Sequence, residues 1–403
     1  MFVFPGHVSL CTWKPCGTRN GRCLFEHPFG RARHHDRLES STLSVLTLSL
    51  FVLGAILLIL GAELLVRGSA RLAKALGVSP LVIGLTVVAF GTSSPETAVS
   101  VGSALDGRAE IALGNVVGSN IFNVLFILGL SALVAPLMVS GRLVRLDAPL
   151  LVGVSLLLLV LALDGSVGRL DGLVLFGGVV AYTIFAIRES RREGAEVAAS
   201  YEREHGDGRR GRVTVQVGFV GLGLGMLVLG SRWLVNGAVE IASAIGVSEL
   251  IIGLTVVAAG TSLPEVATSV LAAARGEREI AVGNVVGSCL FNVLAVLGLA
   301  GLVAPDGIAV PDAAITFDIP VMIATAVACL PIFFTGHRIN RWEGLLFLAY
   351  YVAYTLYLFL DAAGHEALPA FSLVMLAFVI PLTAGTLAIF AARSAQRRLR
   401  KAD

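Results

Sequence analysis

Apolar runs of about twenty residues, separated by short polar turns, recur along the chain from about residue 43 to residue 392. As a helix, each run is long enough to cross a hydrocarbon core of about 30 Å. The pattern predicts an all-α, polytopic membrane protein with helices at 43–66, 80–105, 110–135, 148–163, 170–188, 213–235, 249–273, 279–304, 314–335, 341–360 and 368–392.

The composition supports this fold class and excludes others. Of 403 residues, 56% are hydrophobic and 14% charged, which is too apolar for a soluble domain of this size. A net charge of +2 lacks the excess of basic residues that is typical of nucleic-acid-binding proteins. With this apolar composition, the expected partner is the lipid bilayer of the cell membrane. The five cysteines are too few and too scattered for a disulfide framework.

Residues 1–40 differ from the rest because they are polar and lack the apolar core of a signal peptide. We expect a disordered extension or a start codon assigned too early. Lys and Arg concentrate after alternate predicted helices, most densely in the 189–212 loop. The positive-inside rule therefore predicts an external N-terminus and a cytoplasmic C-terminus.

An internal repeat organises the chain. Residues 60–136 align without gaps to 229–305, and more than half of the aligned positions are identical. Five predicted helices separate equivalent points, so the two copies cross the membrane in opposite directions. The first repeat unit is predicted at 43–188, the second at 213–360, and the helix at 368–392 is additional. Inverted repeats are typical of transporters that bind substrate near the midplane, where the copies meet.

The first motif in each copy places a proline and a glutamate inside an apolar helix: GTSSPE at 91–96 and GTSLPE at 260–265. Proline frees a backbone carbonyl one turn back, and bound cations can satisfy such carbonyls. Thr92 and Glu96 are four apart and are expected on one helix face, as are Thr261 and Glu265. No Lys or Arg lies within these helices. A charged Glu at this depth is therefore expected to pair with a cation or a proton.

The second motif is GNVVGSNIFN at 114–123 and GNVVGSCLFN at 283–292. Its paired glycines allow close helix packing, and we expect Asn115 and Asn284 to join helices. Ser119 with Asn123, and Ser288 with Asn292, can point the same way. Carboxylate, amide and hydroxyl oxygens suit calcium, whereas zinc or copper would prefer imidazole or thiolate ligands.

With both motifs, the chain resembles the cation/calcium exchanger superfamily, in its bacterial and archaeal calcium/sodium antiporter branch. The resemblance covers about residues 43–360. It implies ten helices in two inverted halves, with ions bound between the second, third, seventh and eighth helices and the first and sixth moving to alternate access. It implies that Glu96 and Glu265 bind calcium and sodium. It also implies that the site is completed by Thr92, Ser93, Ser119 and Asn123 in one half and by Thr261, Ser262 and Ser288 in the other.

One position departs from the family pattern. A well-studied branch has Asp where this chain has Asn292, which leaves two intramembrane carboxylates instead of three. The favoured function is calcium antiport driven by sodium, with no cofactor. A proton/calcium exchanger of the same fold and a cation channel remain alternatives. An intramembrane enzyme is disfavoured because no Ser–His pair, paired Asp or zinc motif accompanies the glutamates.

Overall fold

The computed structural model of the protein describes residues 45–201, 209–244, 258–334, 336–386 and 388. The helices in chain order are α1 Val45–Leu76, α2 Pro80–Thr92, α3 Ser94–Leu105, α4 Glu110–Val134, α5 Leu143–Ala162, α6 Arg169–Tyr201, α7 Arg209–Ala244, α8 Ala258–Gly260, α9 Leu263–Ala274, α10 Arg278–Val303, α11 Ala314–Phe334, α12 Arg341–Ala362 and α13 Leu368–Thr386. Four two-residue strands are β1 Leu137–Met138, β2 Ser166–Val167, β3 Ile308–Ala309 and β4 Arg338–Ile339.

The helical membrane fold predicted from the sequence is confirmed. Within the described ranges, nine helices are long and apolar enough to span a bilayer, and α2 with α3 forms a tenth span bent by 47°. The predicted helix at 249–273 is described only from 258 onward, as α8 and α9. The additional C-terminal helix is described as α13, whereas the predicted extension at 1–40 lies outside the described residues.

Four predicted boundaries were wrong by five residues or more. The helices predicted to end at 188 and 235 continue to Tyr201 (α6) and Ala244 (α7), and α7 begins at Arg209, so much of the predicted 189–212 loop is helical. The first helix does not end at residue 66 but continues to Leu76, so its basic residues lie on the helix itself. The fourth predicted helix begins at Leu143 rather than 148. Arg142, which directly precedes it, is buried rather than exposed in a loop. The Arg142 guanidinium is 7% exposed, with its Nε 3.7 Å from Asp147 Oδ2, so a neighbouring carboxylate compensates its burial.

The inverted symmetry of the repeat is visible in the pairing of α1 with α7. The two helices pack along each other at glycines, where Gly54 meets Gly230 and Gly61 meets Gly223. A Cβ on Gly54 would lie 2.8 Å from the Gly230 carbonyl oxygen, and one on Gly223 would lie 2.7 Å from the Gly61 oxygen. Residue n of the first copy corresponds to n + 169 of the second, so each glycine pair maps onto the other. Backbones this close leave no room for side chains.

The core lies around α4 and α10, whose apolar windows are 78% and 83% buried, compared with 28% for α1 and for α7. Gly283 and Gly287 bring α10 against the backbone of α2, as the predicted small-residue spacing requires. Two antiparallel bridges, β1 with β4 and β2 with β3, each join one repeat to the other. The two halves are thereby tied together around the core helices.

Candidate functional site

Both proline–glutamate motifs lie where a membrane helix is interrupted. The chain bends at Ser93 (φ −79°, ψ 11°), and Ser262 adopts nearly the same conformation (φ −88°, ψ 8°). Each proline then occupies the first turn of a new helix, where its missing N–H costs no hydrogen bond. Glu96 and Glu265 lie in these first turns, where the helix dipole favours negative charge.

This break corrects the expectation of one continuous helix face. Thr92 ends α2, whereas Glu96 belongs to α3 beyond the bend. The Thr92 hydroxyl lies 3.1 Å from Asn284 Oδ1 on α10, to which it donates. Thr92 is therefore held by the second repeat rather than aligned with Glu96 along a helix.

The two glutamates are bound reciprocally across the repeats. Ser262 Oγ donates to Glu96 Oε1 at 2.9 Å, and Ser93 Oγ donates to Glu265 Oε1 at 3.0 Å. All four side chains are 0% exposed. The second oxygen of each carboxyl, Oε2, has no hydrogen-bond partner in the described part of the chain. Each repeat therefore holds the carboxyl of the other and leaves one oxygen available.

Hydroxyl groups surround this carboxyl pair. Thr261 lies beside Glu96, and Thr92 and Ser288 lie beside Glu265. Ser119 Oγ is 3.4 Å from Ser262 Oγ. Eight of the ten predicted site residues thus belong to one buried cluster: Glu96, Glu265, Thr92, Ser93, Thr261, Ser262, Ser119 and Ser288.

The two remaining predicted residues, Asn123 and Asn292, are buried but are not bonded to either carboxyl. Each begins a π-helical segment, Asn123–Leu128 in α4 and Asn292–Leu297 in α10, a backbone irregularity often found at functional sites. Asn292 Nδ2 donates to Asn120 Oδ1 at 3.2 Å, which leaves Asn292 Oδ1 unbonded. Neither amide atom of Asn123 has a partner among the described residues.

Sequence reasoning missed three residues that position the site. Asn120 holds Asn292, and its own Nδ2 donates to the Cys289 carbonyl at 3.2 Å. Asn284 joins helices as expected, with Nδ2 on Ser269 at 2.9 Å, but its oxygen also holds Thr92. Their polar side chains in apolar helices were the available signal, but only the packing shows which groups they contact.

The third missed residue is Ser231 of α7. The carbonyl that Pro264 frees belongs to Gly260, and Ser231 Oγ donates to it at 2.8 Å. In the second copy, therefore, this carbonyl already has a partner from the protein. The equivalent of Ser231 in the first copy is Ala62, which has no hydroxyl to donate.

The chemistry of the cluster favours a hard cation. The predicted site residues offer six buried oxygens without a hydrogen-bond partner in the described ranges: Glu96 Oε2, Glu265 Oε2, Asn123 Oδ1, Asn292 Oδ1, Thr261 Oγ1 and Ser288 Oγ. Calcium takes six to eight oxygens in flexible geometry. All four ion pairs between described residues involve other carboxylates, so neither glutamate has a basic partner there.

Comparison with known proteins identifies the family of this chain. The profile of the family described as "Sodium/calcium exchanger protein" matches residues 46–188 and 215–360. CaxA of Alkalimonas amylolytica is 38% identical over 72% of this chain and 91% of CaxA. The sodium/calcium exchanger MaX1 of Methanosarcina acetivorans is 32% identical over 72% of this chain and 92% of its own.

A solved structure shows the same fold. The sodium–calcium exchanger NCX_Mj, in crystals soaked without sodium or calcium, superposes with a TM-score of 0.67 at 31% identity and covers 76% of this chain and 97% of its own. The ten-helix architecture with inverted repeats is shared along nearly the whole of that protein. The family profile, the relatives and the fold agree, and the chain belongs to the sodium/calcium exchanger family of multi-pass membrane antiporters.

Proposed function

We propose that this protein exchanges calcium for sodium by alternating access, with both ions bound at the cluster around Glu96 and Glu265. The observation that carries the proposal is the reciprocal bonding of two fully buried carboxyls by Ser262 and Ser93 of the opposite repeats. Most buried side-chain oxygens have a hydrogen-bond partner, whereas each of these carboxyls keeps one oxygen unbonded and without a basic neighbour in the described part of the chain. A cation seated on the two free oxygens would contact both repeats at once.

Charge balance would couple the movement of calcium to that of sodium. Two ionised carboxylates give the empty site a charge of about −2, which is costly in a dry interior unless it is compensated. One calcium ion or two monovalent ions neutralise it. Movement of the site between the two sides should therefore be permitted with either load, and two sodium ions for one calcium would leave the cycle electrically neutral.

The ions compete for the same oxygens in this scheme. Sodium and calcium are both hard cations that accept carboxylate, hydroxyl and amide oxygens, so one cluster can serve both in turn. The serine hydroxyls that hold Oε1 of each glutamate fix the spacing of the carboxyls while the load changes. The proposal extends to the cell membrane, with the N-terminus outside and the C-terminus cytoplasmic, as the distribution of basic residues predicts.

The second candidate is proton-coupled calcium exchange by the same residues. It is favoured by Asn292, since a site with two carboxyls is neutralised by two protons as well as by two sodium ions. Sodium-dependent calcium uptake into liposomes at clamped pH separates the two. Uptake that follows the sodium gradient supports the proposal, and uptake that follows only an imposed pH gradient overturns it in favour of protons.

The site is tested by removing one charge at a time. Glu96→Gln and Glu265→Gln should each abolish calcium transport while the protein still inserts, because a site of charge −1 cannot neutralise calcium. Asn123→Ala should reduce transport modestly, since water can replace one neutral oxygen. Glu110→Gln, at an exposed carboxyl on α4, is the control and should transport normally. Near-normal exchange by either glutamine variant of the site would contradict the assignment.

A further inference from the structure

The structure is not symmetric at the two ends of its inverted repeats. α1 packs along α9, whereas the symmetry-related pair, α7 with α3, makes at most marginal contact. Equivalent residues differ accordingly: Ala267 is half-buried and Ala98 exposed, and Thr268 is 0% exposed where its equivalent Val99 is 40% exposed. We call the part of the molecule at α9 the covered end, because α1 packs over it. The equivalent part at α3, which α7 leaves exposed, is the open end.

An ion pair joins the covered end. Glu63 on α1 meets Arg275, which directly follows α9. Arg275 Nε donates to Glu63 Oε2 at 3.0 Å, and its Nη2 lies 2.9 Å from Oε1, so the guanidinium engages both carboxylate oxygens. Arg67, one turn along α1, also contacts Glu63. The Glu63 side chain is only 17% exposed. Salt and water therefore screen this ion pair less than they would screen one in open solvent.

The repeat carries a second pair with its charges exchanged. The equivalent of Glu63 is Arg232 on α7, and the equivalent of Arg275 is Asp106, directly after α3. Here Asp106 pairs locally with Arg108 at 3.2 Å, and its side chain is 65% exposed. Arg232 is exposed and has no carboxylate within ion-pair distance in the described ranges. Two complementary pairs thus occupy equivalent places, and only the pair at the covered end is formed.

We propose that Glu63–Arg275 and Arg232–Asp106 are two alternating latches, one at each end of the ion pathway, of which one closes as the other opens. The inference rests on the proposed alternating access. When α1 and α7 shift against the core, Glu63 leaves Arg275, α7 approaches α3, and Arg232 reaches Asp106. Because each latch replaces the other, the number of ion pairs between the moving helices and the core is conserved.

The reversed signs have a physical consequence. Each latch is closed by opposite charges, but Glu63 cannot pair with Asp106, nor Arg232 with Arg275. Glu63 and Arg232 have opposite charges, but Gly61 packs against Gly223 and Gly54 against Gly230, which places these two residues at opposite ends of the α1–α7 pair. The four charges therefore favour the two end states. Partly exposed ion pairs of this kind shift an equilibrium by about two- to fivefold when one charge is removed. That is enough to change the ratio of the two states without affecting folding.

The test measures that ratio by labelling two equivalent positions in the full-length protein. Ala98→Cys and Ala267→Cys report the α3 end and the α9 end, respectively, to a polar maleimide reagent. Serines replace Cys11, Cys16 and Cys23, and the buried Cys289 and Cys329 are retained because they are 0% and 1% exposed. Labelling requires no transport, so the result is independent of ion coupling.

We expect Glu63→Gln to speed labelling at 267 and slow it at 98, which lowers the 98:267 ratio two- to fivefold. Arg232→Gln should slow labelling at 267 by a similar factor and raise the ratio. Asp106→Asn should do the same, because the pair that it loses with Arg108 is exposed and contributes little. Arg232→Gln combined with Asp106→Asn should do no more than either change alone, as expected of partners. Glu277→Gln, between α9 and α10, and Glu110→Gln, at the start of α4, are the matched controls and should leave the ratio unchanged.

Two results separate this inference from the proposed function. Ratios that do not move, or that move in the same direction in Glu63→Gln and Asp106→Asn, overturn the latches whatever the transport activity. Calcium–sodium exchange is measured separately on the parent protein in liposomes. Its absence there overturns the proposed exchange, whereas opposite shifts of the labelling ratio still establish the two latches.

Discussion

Replacing Asn292 by aspartate adds a third carboxyl to the buried site and tests how charge sets the coupling. Asn292 lies on α10, 1% exposed, at the start of its π-helical segment. With three carboxylates the empty site carries about −3. One calcium then leaves a charge of −1, and neutrality by monovalent ions takes three. We expect Asn292→Asp to change coupling and voltage dependence rather than folding.

The structure predicts that this effect depends on pH. Asn292 Nδ2 donates to Asn120 Oδ1 at 3.2 Å, so an ionised aspartate in its place would set an oxygen against that oxygen. Turning the Asn120 amide would relieve the repulsion but lose its 3.2 Å bond to the Cys289 carbonyl, which costs about 1 kcal/mol. The introduced aspartate, when protonated, instead donates to Asn120 with no rearrangement. At low pH the variant should therefore behave like the parent.

The size of the voltage effect follows from the charge moved. An exchange of three sodium ions for one calcium transfers one net charge per cycle, worth about 2.3 kcal/mol at 100 mV. That corresponds to about a 50-fold change in the calcium gradient held at equilibrium. Two sodium ions for one calcium transfer no net charge, so the parent protein should show no such dependence.

The assay is calcium flux in liposomes at set membrane potentials, between about pH 6 and pH 9, on parent and variant. Asn123→Asp is the matched control, because residue 289, the equivalent of Asn120, is a cysteine and offers no amide oxygen. Its aspartate should stay ionised to lower pH and keep its voltage dependence there. If Asn292→Asp and the parent protein show identical voltage and pH dependence throughout, position 292 does not face the ion pathway.

Three further substitutions test other parts of the structure. Ser93→Ala removes a charge-assisted hydrogen bond of 3.0 Å to Glu265, worth about 1.5–3 kcal/mol. Calcium binding, measured with a calcium isotope, should weaken about 10- to 150-fold. Unchanged affinity would show that the bond does not position the carboxyl. Asn284→Ala frees the Thr92 hydroxyl and should raise the half-saturating calcium concentration with little change in maximal rate, whereas an unchanged value would remove Thr92 from the site. Gly54→Ala places a methyl group 2.8 Å from a backbone oxygen of α7 and should lower the melting temperature in detergent; Gly153→Ala, in open space, is its control and should not.

The sequence by itself determined the architecture of this protein. Apolar run length fixes membrane helices because lipid offers no partner for an exposed backbone group. An odd number of spans between two copies fixes their opposite directions. Residue type also pointed to the candidate site: Glu96 and Glu265 follow prolines in otherwise apolar helices, and both are fully buried without a basic partner in the described part of the chain.

The contacts between distant segments were decided only by the tertiary structure. Spacing along one helix suggested that Thr92 and Glu96 act together, but a 47° bend separates them, and each is held by a side chain of the other repeat. No local pattern encodes which serine reaches which carboxyl, because Ser262 and Glu96 are 166 positions apart. The asymmetry between the two ends is likewise invisible in the repeat, since nearly identical helices pack differently once α1 covers α9 and α7 leaves α3 open.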